Sequence, residues 1–203
     1  MAGRSAGKRV SLDVQVLQTS ASLENLAVAC YASAARLPTI RDGDRALATF
    51  IARTRAHHAA HAAAYNAAAV REGGRPQHAP DPRYAGAVRH ALERLTGAPS
   101  VTSLASIVSL LEALEDLKAQ SYVRYASLTS PKLRSLLVSV AAVEAQHRSF
   151  LLATLQLLSV GAEGLIEIPT DPGELPGVIG VECFPRAFYS TAGASAVDEG
   201  VVR

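Results

Sequence analysis

Apolar residues return at steps of three and four along four stretches of this chain, the pattern of helices that each bury one face. The first predicted helix covers 13–36, with an inward stripe of Leu17, Ala21, Glu24, Val28 and Tyr31. Leu37-Pro38 closes it, because the residue before proline is pushed out of helical geometry. The second opens after Asp42-Gly43-Asp44, where an aspartate can cap it, and runs to 72 before Gly73-Gly74. Its stripe is Leu47, Ile51, Thr54, His58, His61, Tyr65 and Ala68, and Arg45, Arg53 and Arg55 fall outside it. The third covers 102–128 with Leu104, Val108, Leu111, Glu115, Lys118 and Tyr122 inward, and Glu112 and Asp116 to the sides. The fourth covers 131–160, with Ser130-Pro131 as cap and first turn and a stripe of Leu133, Leu137, Val140, Glu144, His147, Leu151 and Leu158.

The connections order these helices. A short turn joins the first two, so they are expected to be antiparallel neighbours. A long segment follows, carrying Pro76, Pro80, Pro82 and Pro99 and one short helix around 83–95. Its length suits a crossover from one end of a bundle to the other. The expected architecture is all-α, an antiparallel four-helix bundle built as hairpin, crossover, hairpin. Residues 1–12 are read as a flexible N-terminus, 13–160 as the bundle, and 161–203 as an irregular extension. That extension holds Pro169, Pro172, Pro176 and Pro185 between short apolar runs such as Val178-Ile179-Gly180-Val181. With Phe184, Phe188 and Tyr189 it is expected to pack on the bundle or on a partner subunit.

Composition narrows the picture. Aromatic residues are 5% of the 203, tryptophan is absent and alanine is plentiful, which favours helix over strand. Twenty basic residues against 18 acidic leave a net charge of +2, no footprint for nucleic acid. Cys30 and Cys183 lie far apart in no metal-finger spacing, so both are read as free thiols of a reducing compartment. No apolar stretch is long enough to span a membrane, and no apolar core follows the basic start as in a signal peptide. A cytoplasmic protein is the expectation.

The polar residues inside the stripes carry the chemistry. Glu24, His58, His61, Glu115, Glu144 and His147 lie near the midpoints of faces that must be buried. Burying even one unpaired carboxylate costs several kcal/mol, comparable with the stability of a whole domain. Metal ions would compensate: carboxylates suit iron or manganese, imidazole suits iron, zinc and copper. Residues three apart on a helix can chelate one ion, as in His58-x-x-His61 and Glu144-x-x-His147. Lys118, also on an inward stripe, reads as a sign that these assignments hold only to about a position. His57 flanks its stripe and ranks below His58, and His78 and His90 are read as surface residues.

Taken together, Ser22-Leu23-Glu24-Asn25-Leu26, His57-His58-Ala59-Ala60-His61, Leu114-Glu115-Asp116 and Val143-Glu144-Ala145-Gln146-His147 resemble the ferritin-like superfamily, which includes rubrerythrins and bacterial ferritin-like domain proteins. The resemblance covers roughly 13–160. It implies a dinuclear site, with Glu24 and Glu115 as single-helix carboxylates and Glu144 with His147 as a chelate. It further implies iron, or alternatively manganese or zinc, in redox chemistry with dioxygen or peroxide and an external electron donor, while the proline-rich tail after Gly161 favours a homodimer or small homo-oligomer. The chain departs from the family in helix two, where His58 stands in place of glutamate. Losing that negative charge weakens the hold on a second hard cation. Tyr31, Tyr65 and Tyr122 lie on the ligand faces, either as packing or as hydrogen-bond donors to the carboxylates. Two other readings are an iron-storage cage subunit and a metal-free helical interaction module.

Overall fold

The computed structural model describes residues 10–95, 101–166 and 189–202, with side chains in the third long helix from 104 onward. Four long helices form: α1 (Leu12–Ala34), α3 (Arg45–Arg71), α5 (Val101–Leu128) and α6 (Pro131–Ser159). Two shorter ones, α2 (Pro38–Arg41) and α4 (Pro82–Arg94), lie between them, and a 3-10 turn, Glu163–Leu165, follows α6. No strand occurs among the described residues, and no described helix is long and apolar enough to cross a membrane.

Local chemistry sets the ends of these helices. The Ser11 hydroxyl accepts from the Val14 amide and Asp44 from the Leu47 amide, each satisfying an N-terminal donor that the helix itself cannot. Gly73 ends α3 at φ +80°, a conformation that costs glycine little. A Cβ on the next residue, Gly74, would run into Val14 of α1. At the start of α6, Pro131 occupies the first turn as expected, but the Ser130 hydroxyl makes no cap. Instead the Ser130 amide donates to Asp13 Oδ1 at 3.1 Å. Pro38 not only closes α1 but opens the one-turn α2.

Side-chain pairs fix the helix directions. Glu24 meets His58 while Gly74 approaches Val14, so α1 and α3 are antiparallel. Tyr31 meets Glu115 and Glu24 meets Tyr122, so α1 and α5 are antiparallel too. Arg148 pairs with Glu112, and Glu144 with Lys118, across α5 and α6. Lys132 pairs with Glu72, and His147 with His57, across α3 and α6. Every adjacent pair is therefore antiparallel and α3 runs the same way as α5, which requires the connection between them to return along the bundle.

The apolar core is divided. One half gathers Leu26, Tyr31, Leu47, Ile51, Ile107, Leu111 and Leu151, the other Leu17, Tyr65, Tyr122, Leu133, Leu137 and Val140. The charged cluster forms the layer between them. The single-stripe expectation for α1 is too narrow, since Gln18, Thr19, Ser20 and Ser22 are buried as well as the apolar face. Residues 75–81 and 189–202 wrap α1 from outside. The Gln18 amide donates to Arg75 O and accepts from the Val202 amide, and Thr19 bridges Val197 O and the Gly200 amide. Tyr189 bonds Asp116, and Tyr125 bonds Ser195 O. Phe184, Phe188, Cys183 and 178–181 lie outside the described residues.

Candidate metal centre

Each long helix brings its inward polar residues to the middle layer. Glu24 comes from α1, His58 and His61 from α3, Glu115 from α5, and Glu144 and His147 from α6. Glu24, His58, Glu115 and Glu144 have no exposed surface, and His147 has almost none. His61 is 15% exposed, and this sets the side from which solvent approaches. All six candidate ligands thus converge.

The cluster separates into two overlapping sets of donors, Glu24, His58, His61 and Glu144, and His58, Glu115, Glu144 and His147. Within each set, one donor atom from every residue lies within 4.8 Å of the others. In the first set His58 Nδ1 is 3.0 Å from Glu24 Oε2 and 3.7 Å from Glu144 Oε1, and His61 Nδ1 is 3.0 Å from Glu144 Oε1 and 3.6 Å from Glu24 Oε1. Neighbouring ligands of an ion bound at about 2.1 Å stand about 3.0–3.5 Å apart, a range that the two 3.0 Å separations meet and the 3.6 and 3.7 Å ones slightly exceed. In the second, His147 Nδ1 is 3.3 Å from Glu115 Oε2 and 3.4 Å from Glu144 Oε2.

Lys118 is the residue that stripe reading undervalued. The stripe needed no shift, because Lys118 is wholly buried and its ammonium sits inside the cluster. Nζ lies 2.8 Å from Glu144 Oε2, 3.1 Å from Glu115 Oε2 and 3.8 Å from Glu24 Oε2. It also lies 2.9 Å from His58 Nδ1. It is also 3.2 Å from His58 Nε2, so the ammonium abuts the ring of His58, whose two nitrogens face Glu24 and Glu115.

The electrostatics follow from burial opposed by neighbours. Burial and the charge of Glu144 push the Glu24 carboxyl up, but Lys118, His58 and His61 outweigh them and hold it below the usual range. Burial likewise opposes ionisation of Glu144, and Lys118 and His58 prevail, keeping it well below. Burial favours a neutral His61, yet hydrogen bonds to Glu144 and Glu24 raise it to about 9. In Cys30, burial and the charge of Glu115 push the thiol up to about 12, so it stays protonated and offers no thiolate ligand.

Around the cluster, Tyr31 donates to Glu115 Oε1 at 2.6 Å and Tyr122 to Glu24 Oε1 at 2.7 Å, so these two tyrosines are donors to carboxylates. The Tyr65 hydroxyl, one turn beyond His61 and close enough to feel the charges of Glu24 and Glu144, is buried without a hydrogen-bond partner among the described residues. His57 is exposed and stacks on His147, with His57 Nδ1 3.0 Å from His147 Nε2. His78 and His90 are exposed, away from the cluster. A separate cavity of about 540 Å³ lies between α1 and α4, bordered by Leu26, Cys30, Val88 and Leu92, and none of the six candidate ligands lines it.

No curated protein and no solved structure matches this sequence. The family profile described as a ferritin-like domain does match, over residues 12–157, the span that begins with α1 and ends within α6. On that match, and with a bundle whose helices converge on carboxylates and histidines, the chain belongs to the ferritin-like domain family.

Proposed function

We propose that the middle layer binds a transition metal, iron foremost, and uses it in redox chemistry with dioxygen or peroxide, with an external donor restoring the reduced state. The observation that carries this reading is the convergence of six oxygen and nitrogen donors from four helices between two apolar half-cores. Such a donor set, with no thiolate, suits iron or manganese and accommodates zinc. A bound redox-active ion would supply electron exchange and Lewis acidity, and Glu24, His58, His61, Glu144, Glu115 and His147 are the residues available to hold it.

The chain's own groups prepare the site. Tyr31 and Tyr122 fix the carboxylates of Glu115 and Glu24 in orientation. The unpartnered Tyr65 hydroxyl is a donor for a solvent molecule or an oxygen ligand. His57 and His147 form a line of ring contacts from the surface to Glu115 Oε2, along which a proton can enter. An ion beside Glu24 would take a lone pair of His58, leaving Lys118 to the carboxylates.

Lys118 favours a second reading, a metal-free bundle in which one ammonium and protonated histidines neutralise the three carboxylates. Metal analysis of protein purified from iron-replete cells separates the two. The metal reading expects stoichiometric iron, and a melting temperature that falls on chelation and recovers on adding the ion back. Trace metal only, with no ion able to stabilise the stripped protein, would falsify it.

A further inference from the structure

The two oxygens of Glu144 face different neighbours. Oε1 is 3.0 Å from His61 Nδ1 and turns toward the donors of Glu24 and His58. Oε2 is 2.8 Å from Lys118 Nζ. The same ammonium is 3.1 Å from Glu115 Oε2, and His147 Nδ1 approaches these same two oxygens at 3.3 and 3.4 Å. Lys118 Nζ therefore stands among the very atoms that an ion bound by Glu115, Glu144 and His147 would need, whereas on the Oε1 side it reaches His58 Nδ1 at 2.9 Å and stays 3.8 Å from Glu24 Oε2.

Charge points the same way. Three carboxylates are balanced by one ammonium and one divalent ion, while two divalent ions beside the ammonium would leave two surplus positive charges in a layer that reaches solvent chiefly at His61. His58 in helix α3, an imidazole where a further carboxylate would have supported a second ion, brings no negative charge to absorb part of that surplus. Glu115 is also fully engaged without a metal, accepting from Tyr31 Oη at 2.6 Å and lying 3.2 Å from His58 Nε2.

We propose that this chain holds one divalent ion, on Glu24, His61, Glu144 Oε1 and His58, and that the Lys118 ammonium takes the place of a second, joined to the first through the carboxylate of Glu144. The inference rests on the metal reading above and replaces the dinuclear site that the family resemblance implies with a metal and lysine centre. Glu115 and His147 become the ammonium's surroundings, and Lys118 is a positioning residue that holds the Glu144 carboxylate between the two cations.

The test is a count of ions. Full-length protein stripped with chelator is titrated with cobalt(II), and separately with iron(II) without oxygen, following calorimetric stoichiometry, elemental analysis and the cobalt spectrum. Wild type is expected to bind one ion per chain, with the magnetic signature of an isolated ion, and Lys118→Ala to bind two. Lys118→Gln keeps most of the side-chain volume without the charge and repeats the test if the alanine variant does not fold. Two ions in wild type overturn the proposal and leave the metal reading standing. One ion in both wild type and the lysine variants overturns the role given to Lys118. No binding by any of them removes the metal reading itself, and this inference with it.

Discussion

Gln18, Thr19 and Ser22 are buried on the outer side of α1, and Glu24, His58 and Lys118 are buried on its inner side, yet the two regions satisfy their polar groups differently. In the outer seam donors and acceptors match: Thr19 Oγ1 donates to Val197 O at 2.8 Å and accepts from the Gly200 amide at 3.0 Å, and Ser22 donates to Thr19 O. All are neutral groups, most partnered by backbone, the ordinary way to bury polarity. Of the hydroxyls around this seam, Ser20 Oγ and Ser195 Oγ are buried without a partner among the described residues. In the inner layer three carboxylates, three imidazoles and an ammonium crowd together, so its contacts join ionisable groups to one another. This second region is built of ionisable groups, and that difference makes it the candidate site for a cation.

The comparison breaks most severely at Lys118. In metal-free protein, Lys118→Met leaves three buried carboxylates without their ammonium and is expected to cost about 3–5 kcal/mol in urea denaturation. Adding an ion should restore much of that loss, because a cation is what the layer then lacks. A cost below about 1 kcal/mol would show that the histidines alone carry the compensation.

Next in size is the effect of pH on the inner layer. His61 has a folded pKa raised from 6.5 to about 9, so in the metal-free protein its stabilisation is fully present below 6.5 and is lost as pH rises through about 9. Ligation demands the neutral ring, so metal affinity moves the other way, gaining up to about tenfold per pH unit over that interval. Cobalt titrations at three pH values check the slope, which His61→Ala should flatten.

Tyr122→Phe removes the 2.7 Å hydrogen bond that orients Glu24 and should weaken metal binding by about 10–100-fold with little loss of fold. The outer seam should respond least. Thr19→Val keeps the shape, strands Val197 O and the Gly200 amide, and is expected to cost about 1–2 kcal/mol in urea denaturation with metal affinity unchanged. A large fall in metal affinity from that variant would mean that the seam and the layer are one unit.

The four long helices were legible because their ends carry local chemistry. Asp44, Gly73 and Pro131 act within a few residues of their own position, and the structure places those helix ends within one or two residues of expectation. Glu144 and His147 stood out because the rest of their stripe is aliphatic and buried. Lys118 was equally legible, one step beyond Glu115 on a correct stripe, and was discounted only because buried lysines are rare. The wrapping of α1 was not legible. It depends on residues 75–81 and 189–202, whose partners lie 57 and 178 positions away and leave no periodic trace. The one-turn α2 is too short to show a period at all.

That wrapping has a consequence for how the molecule comes to be. Thr19 and Val197 are joined across 178 positions, so when α1 leaves the ribosome the partners of Gln18 and Thr19 on its outer strip are not yet made. Closing so long a loop is slow compared with forming either helix hairpin. The helix that carries Glu24 is therefore synthesised well before it can be sealed, and through that interval it depends on whatever in the cell shields a half-clad helix.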